Sequence, residues 1–145
     1  MRITSSAFQN GGAIPAKFSR ERGNSNPPLE IESTPSNAKS LVLIIDDPDA
    51  PGGLFTHWLV WNIDPKTSAI LEHNAPKGAV EGKNGFGSVG YDGPQPPAGT
   101  HRYYFKIFAL DQSLNLAAGS KRRELEKAMK GHVIAQAQMM GRYTK

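Results

Sequence analysis

Three separate segments of the chain contain side chains that could bind a ligand or move a proton. Asp46, Asp47 and Asp49 follow an apolar run, His57 comes soon after them, and an HRY sequence begins at His101 after a stretch rich in Pro and Gly. Imidazole rings, a tyrosine hydroxyl and the backbone N–H groups of Gly-rich turns together favour a small anion, for which phosphate is the natural candidate. A carboxylate nearby could hold one imidazole in its donor tautomer.

The residues alone leave other interpretations open. A histidine at the start of a strand often makes only a structural hydrogen bond. A histidine pair beside a carboxylate could also supply general acid and base to a phosphoester. The sequence shows no metal-ligand set and no evident nucleophile, and it contains no cysteine. Hydrolysis is therefore the secondary alternative.

Two familiar motifs are matched only in part. The sequence GFGSVG at Gly85–Gly90 fits the dinucleotide-binding pattern, but the YDGPQPPAG that follows cannot begin the helix that such a site needs. The sequence DPDAPG from Asp47 resembles half of a calcium loop, yet Pro51 and Trp58 occupy two ligand positions. We therefore expect neither a nucleotide fold nor calcium, and no cofactor or metal.

The positive charge is concentrated at the C-terminus. The formal charge is +4 overall and +5 over Lys121–Lys145, which holds seven basic residues and two acids. A solvated helix face or a phosphate-rich partner would both explain this, but no aromatic residues are interleaved with the charges, so nucleic acid is not expected. The N-terminus lacks the apolar core of a signal peptide, and Leu41–Ile45 is too short to span a membrane. These features predict a soluble, cytoplasmic protein.

The apolar pattern predicts mainly strands. Ser40–Asp46 should be a strand buried on both faces, and His101–Asp111 should be a central strand with Tyr103, Phe105, Ile107 and Ala109 on one face. In Thr56–Asp64, alternation would put His57, Leu59, Trp61 and Ile63 on one face and Trp58, Val60 and Asn62 on the other. Met1–Phe8 and Ala69–His73 are weaker candidates.

Helical spacing is confined to the C-terminal part. Leu125, Ala128, Met129, Val133 and Ala137 roughly follow it, interrupted at Gly131, which predicts short helices. The sequence MMGRYTK should return as a last strand, and Asn10–Glu30 reads as a long irregular loop. With no repeat and no linker, residues 1–145 are expected to form one mostly β, antiparallel domain.

Several of these segments resemble one known family. DDPDAP, then HWLVWNI, then GKNGFGSVGYDGPQPPAGTHRYYFKIFALD are similar to the phosphatidylethanolamine-binding protein (PEBP) family, and most of all to its small bacterial and archaeal branch. The resemblance extends from Phe8 to Tyr143. It implies a β-sandwich with a large central antiparallel sheet, a smaller sheet and short C-terminal helices.

The resemblance also implies a small pocket for anions such as phosphate, acetate or a phosphorylated lipid headgroup. Transferred by motif, the expected lining residues are Asp47, Pro51, His57, Gly93, Pro94, His101 and Tyr103. Phe55 falls where the family often has an aromatic pocket wall.

Family members are described as headgroup binders, as inhibitors of kinases or serine proteases, and as scaffolds, without a common reaction. The resemblance therefore implies a non-enzymatic binding protein, with inhibition of a protease or kinase as the alternative. This chain lacks the longer C-terminal helix of the eukaryotic members. Its pocket should consequently be more open, or closed by a second copy in a homodimer.

The neighbouring acids are expected to have different roles. Alternation along the strand should point Asp46 and Asp47 to opposite faces. Asp47 is then the acid expected to orient a histidine in the pocket. Asp49, beyond Pro48, is predicted to pair with Arg102 and tie two loops together.

Overall fold

The apolar and aromatic segments form β-strands, and the charged C-terminal segment forms the one α-helix, in a computed structural model that describes residues 1–145. The elements are β1 (Arg2–Thr4), β2 (Leu29–Glu32), β3 (Ser40–Asp47), β4 (Phe55–Ile63), β5 (Ala69–Ile70), β6 (Val80–Glu81), β7 (Thr100–Leu110), α1 (Arg122–Met129) and β8 (Val133–Thr144). A short 3-10 helix, Ala16–Phe18, lies between β1 and β2.

The strands form two antiparallel sheets. The small sheet has the order β1-β2-β5, and the large sheet has the order β6-β4-β3-β7-β8. Strand β3 lies at the centre of the large sheet, and all of its residues are buried, as its continuous apolar run predicts. Strand β7 is also internal, between β3 and β8. The expected mostly β fold with a larger and a smaller sheet is confirmed.

Each face of the large sheet covers a hydrophobic core. The main core lies between the two sheets and contains the predicted inner face of β7, from Tyr103 to Ala109, together with Ile3 and Ile31 of the small sheet. The second core lies on the opposite face, where Leu125 and Met129 of α1 pack with residues of β3 and β4. Strands β3, β4 and β7 are thus packed against a hydrophobic core on each face of the large sheet.

Two β-bulges break the alternation that the sequence predicts for β4. Asp46 pairs with Thr56 and Ile45 with Trp58, so His57 is an extra residue in β4. Because of this bulge, His57 lies on the same side as Tyr103 of the main core, with the two ring centroids 5.2 Å apart. The predicted grouping of His57 with Leu59 is therefore wrong.

The second bulge lies farther along β4. It separates the pairs Leu41–Ile63 and Leu43–Val60, and Asn62 adopts a φ of 53° there, in the left-handed region that Asn tolerates. Ile63 consequently packs in the main core rather than beside Trp61 in the second one. The predicted grouping of Ile63 with Trp61 is wrong for this reason.

The C-terminal part differs most from expectation. Only α1 is helical, and Gly131, with a φ of 83°, turns the chain into β8. Val133 and Ala137, expected on a helix, lie in β8, whose partners on β7 run from Leu110 to Thr100. The weak helical spacing of this segment is overridden by pairing with a long neighbouring strand.

The predicted weaker strands are shorter than expected. Met1–Phe8 is reduced to β1, and Ala69–His73 is reduced to β5, after which His73 adopts a φ of 58°. Both belong to the small sheet, which closes the main core.

Candidate functional site

An aspartate, two histidines and a tyrosine meet where β3 ends, β4 bulges and β7 begins. They surround a cavity of about 130 Å³. Its lining residues are Asp47, Ala50, Pro51, Phe55, His57, Phe86, Gln95, Pro96, Pro97, His101 and Tyr103. We call this cavity the histidine pocket. It is smaller than the roughly 300–1,000 Å³ of a drug-sized site.

One wall of the pocket is an aspartate–histidine pair. Asp47 Oδ2 lies 2.6 Å from His101 Nδ1, and the two side chains are only 4% and 10% exposed. The other carboxylate oxygen, Oδ1, accepts the Asp49 backbone N–H at 2.7 Å. Because a carboxylate accepts, Asp47 holds His101 with Nδ1 as the donor and leaves Nε2 as the free ring nitrogen.

His57 is oriented in a different way. Its Nδ1 lies 2.7 Å from the Asp92 backbone oxygen, which can only accept, so Nδ1 carries the proton. Burial lowers the pKa of His57, while the hydrogen bond to Asp92 and the charge of Asp47 act in the opposite direction. His57 is therefore a neutral ring at pH 7, with a lone pair on Nε2.

Aromatic rings form the remaining walls. Phe55 and Phe86 meet edge to face with centroids 4.7 Å apart, and the centroid of Phe55 lies 5.1 Å from that of His57. Tyr103 is buried, and burial, followed by the charge of Asp47, raises the pKa of its hydroxyl. The tyrosine thus stays protonated and can donate one hydrogen bond.

The Gly-rich segment before Asp92 shapes this wall. An atom placed at the Cβ position of Gly85 would lie 2.6 to 2.8 Å from ring atoms of Phe55, so only glycine lets the ring take its place. Gly87 and Gly90 have φ values of 89° and 121°. The sequence at Gly85–Gly90 is therefore a loop, as its poor fit to a nucleotide motif indicates.

Gly93 and Pro94 do not line the pocket, unlike the other residues that the motif suggested. Gly93 is pressed against the backbone of the preceding loop, where an added Cβ would lie 2.0 Å from the Phe18 oxygen. Its N–H donates to Asn24 Oδ1 at 2.8 Å, and the carbonyl of Pro94 accepts the Arg20 N–H at 3.1 Å. Both residues therefore join the segment before the pocket-lining Gln95 to the Phe18–Asn24 loop, outside the cavity.

Asp92 is the main supporting residue that the sequence did not single out. Its backbone oxygen holds His57, while its carboxylate accepts from Asn24 Nδ2 and Asn84 Nδ2, each at 2.9 Å. The order YDGP offered no sign of this role, because Asn24 and His57 come from distant parts of the chain and Asn84 approaches only through the fold of the Gly-rich loop.

The rim carries one cation that the sequence also did not indicate. The guanidinium carbon of Arg20 lies 4.0 Å from the ring centroid of Phe86, and Nη1 donates to Gln95 Oε1 at 2.7 Å. Its Nε lies 3.8 Å from Asp92 Oδ1. Arg20 thus braces two of the lining residues from outside.

The predicted pair between Asp49 and Arg102 is confirmed. Arg102 Nε and Nη2 donate to the two carboxylate oxygens at 2.9 and 2.8 Å, and the backbone N–H of Arg102 adds a third bond at 2.9 Å. The hydrogen bonds from Arg102 lower the pKa of Asp49 to about 2. This pair joins the loop after β3 to the start of β7 beside the pocket.

The other titratable groups do not form a metal site. The structure contains no group of three or more His, Cys, Asp or Glu side chains arranged to hold a metal ion. It also contains no helix with the length and hydropathy of a membrane span. His73 and His132 lie elsewhere, beside Ser25 and Asp111.

Known proteins are similar to this chain in sequence and in fold. The family model described as phosphatidylethanolamine-binding protein matches residues 4–144. A UPF0098 protein of Pyrococcus horikoshii is 50% identical over 96% of this chain and 74% of its own length, and one of Methanothermobacter thermautotrophicus is 41% identical over 99% and 98%.

Solved structures agree with the family match. A phosphatidylethanolamine-binding protein homologue of Chlamydia trachomatis superposes with a TM-score of 0.95 at 44% identity, covering 99% of this chain and 97% of its own. The E. coli protein YbcL, a member of the mammalian PEBP family, gives a TM-score of 0.93 at 29% identity, with coverages of 99% and 98%. The chain therefore belongs to the phosphatidylethanolamine-binding protein family.

Proposed function

We propose that the protein is a non-enzymatic binding module whose histidine pocket takes a small oxyanion, either free phosphate or the phosphate of a lipid headgroup. The observation that carries this proposal is the pairing of two imidazoles in one small cavity, each with Nδ1 already engaged. Both Nε2 atoms then remain for one ligand, and the Tyr103 hydroxyl, whose hydrogen bond with Asp47 helps to raise its pKa, borders the same cavity. Acetate would use the same groups.

The two rings offer different chemistry to that ligand. His101, when it carries both ring protons, donates from Nε2 while Nδ1–H stays on Asp47. Neutral His57 offers an Nε2 lone pair to a protonated oxygen of the ligand, or takes up a proton when the ligand is fully ionised. Free phosphate suits both, because it presents ionised and protonated oxygens near pH 7. A headgroup phosphodiester is fully ionised at this pH, and His57 would bind it only as a donor, after His57 takes up a proton.

Binding without turnover is consistent with the hydrogen bonds that the carboxylates of Asp47 and Asp92 already accept. Both carboxylate oxygens of Asp47 already accept hydrogen bonds, and the carboxylate of Asp92 is held by Asn24 and Asn84. The lining contains no serine, threonine, cysteine or lysine, so the ring nitrogens of the two histidines and the Tyr103 hydroxyl are its remaining candidates for attack on phosphorus. The rigid prolines Pro51, Pro96 and Pro97 limit the motion of the rim, so less conformational entropy is lost when a ligand binds.

NMR titration tests this proposal. Phosphate and phosphoethanolamine are added separately while the ring signals of His57 and His101 are followed, with His132 as the internal control ring outside the pocket. We expect saturable shifts of the two pocket rings, and loss of binding in His101→Ala. Unmoved signals at millimolar concentrations of both ligands would refute the proposal. A response to phosphoethanolamine that clearly exceeds the phosphate response would identify the headgroup as the preferred source.

A second candidate is inhibition of a protease or kinase through an exposed loop. Residues from Arg20 to Gly23 are exposed, and the N–H of Asn24 closes this turn by donating to the Ser19 oxygen at 2.9 Å. A short exposed turn held at its base is the usual form of a rigid recognition loop. Inhibition that survives His57→Ala and His101→Ala but is lost in Arg22→Ala would favour this function over the first.

A further inference from the structure

We propose that the protein has a second ligand site, on the opposite face of the large sheet, for an organic anion with an apolar chain. The site is a cavity of about 420 Å³ between α1, β7 and the start of β8, which we call the outer groove. Its volume is about three times the 130 Å³ of the histidine pocket and lies within the usual range for small-molecule sites. This inference does not depend on the function proposed for the histidine pocket.

The floor of the outer groove is apolar. Ile44, Phe108, Met129 and Val133 line it, and Val133 is 41% exposed. The floor is open because α1 covers β3 and β4 but ends at Met129, and Gly131 then turns the chain away into β8. Ile44 and Met129 are already buried, so an apolar chain placed here would cover mainly Val133 and the half-buried ring of Phe108.

Positive charge exceeds negative charge around this floor. Asp46, fully buried, accepts on Oδ2 from Arg122 Nη1 at 2.7 Å and Lys106 Nζ at 3.1 Å. Glu126 Oε1 lies 3.1 Å from Arg122 Nε. Lys130 lines the groove and has no ion pair. Three cations against two carboxylates leave an excess of one positive charge, which matches a monoanion.

The arrangement of polar groups gives the ligand an orientation. Beyond Lys106 and Phe108 the surface continues into a second cavity of about 340 Å³, lined also by Gln136 and Gln138. The cations Lys106 and Lys130 and the apolar residues Phe108 and Val133 line the same cavity. An amphiphilic anion would rest its chain on Phe108 and Val133 and direct its charged end to Lys130, the lining cation without an ion pair. A carboxylate fits because one negative charge suffices.

Octanoate is the probe, and octanamide is its neutral counterpart. Comparing the two separates the contribution of the apolar chain from that of the negative charge. We expect octanoate to shift the Met129 methyl and Phe108 ring signals saturably, and octanamide to do so far more weakly. Lys130→Met should weaken octanoate binding about fivefold, the range for one partly exposed charge. Lys127→Met is the matched control, because Lys127 is exposed on α1, three residues before Lys130, but does not line the groove.

Three results would overturn the second site. One is the absence of Met129 and Phe108 shifts at millimolar octanoate. Another is an equal response to octanamide and octanoate, which would remove the role of charge. The third is an octanoate response confined to the His57 and His101 rings, which would place the ligand in the histidine pocket. Phosphate shifts of those two rings report on the first proposal separately, so each proposal can fail alone.

Discussion

Asp46 and Asp47 are consecutive in the chain, yet their carboxylates lie on opposite faces of the large sheet. Asp46 accepts from Arg122 and Lys106 beside the outer groove, whereas Asp47 accepts from His101 in the histidine pocket. The alternation of side chains along β3 separates the two charges. Asp46 is compensated by two cations, whereas Asp47 accepts from a ring nitrogen of His101, so these two neighbouring acids do not form one cluster in space.

Substituting each acid should have a different effect. Asp46→Asn should lower the free energy of unfolding by about 2–3 kcal/mol, because Arg122 loses its buried partner but can still reach water. Asp47→Asn should instead weaken phosphate binding about tenfold by removing the charged acceptor of His101. Urea denaturation and phosphate titration of both variants measure this. A reversed pattern would contradict the assignment.

Because His57 is buried, we expect the free energy of unfolding to fall in mildly acidic solution. Burial lowers its pKa, so the unfolded chain, with a histidine pKa of about 6.5, binds more protons than the folded protein. The free energy of unfolding should therefore decrease as pH falls below about 6.5, by up to ~1.4 kcal/mol per pH unit from this residue. His57→Gln should flatten the dependence between pH 7 and 5. An unchanged slope in the variant would show that another group is responsible.

Asp49 predicts a separate change at lower pH. Arg102 lowers the pKa of Asp49 to about 2, so the stability contributed by this carboxylate is complete above its unfolded pKa of about 3.9. It is lost as pH falls from about 4 toward 2. Asp49→Asn should be less stable than the parent protein at pH 5, and the difference should shrink as the pH falls. Glu32→Gln, which removes another exposed ion-pair carboxylate, is the control and should change stability little.

Gly85 predicts an effect on the shape of the histidine pocket. Gly85→Ala would force the Phe55 ring away from a Cβ that lies 2.6 Å from its nearest atom. We expect a loss of about 1–2 kcal/mol of stability and severalfold weaker phosphate binding, because the ring forms a pocket wall. Gly52→Ala is the matched control, since nothing lies within 4 Å of its Cβ position. Equal binding by both variants would rule out a steric role for Gly85.

Much of the site could be predicted from local pattern. The buried strand β3, the inner face of β7 and the Asp49–Arg102 pair follow from an apolar run, regular alternation and two short segments that meet at strand ends. Of the residues that the family resemblance implied for the pocket, Asp47, Pro51, His57, His101 and Tyr103 line the cavity. Gly93 and Pro94 do not, because the backbone of the Phe18–Arg20 segment covers them.

The sequence by itself determined the mostly β fold, the strand ends that carry the acids and histidines, and the family. These depend on periodicity and on short motifs, which are local. Only the tertiary structure decided the bulge that turns His57 toward Tyr103, the Asp92 oxygen that orients its ring, and the open groove beside α1. Each of these depends on how residues far apart in the chain pair or pack, and local pattern does not encode that pairing.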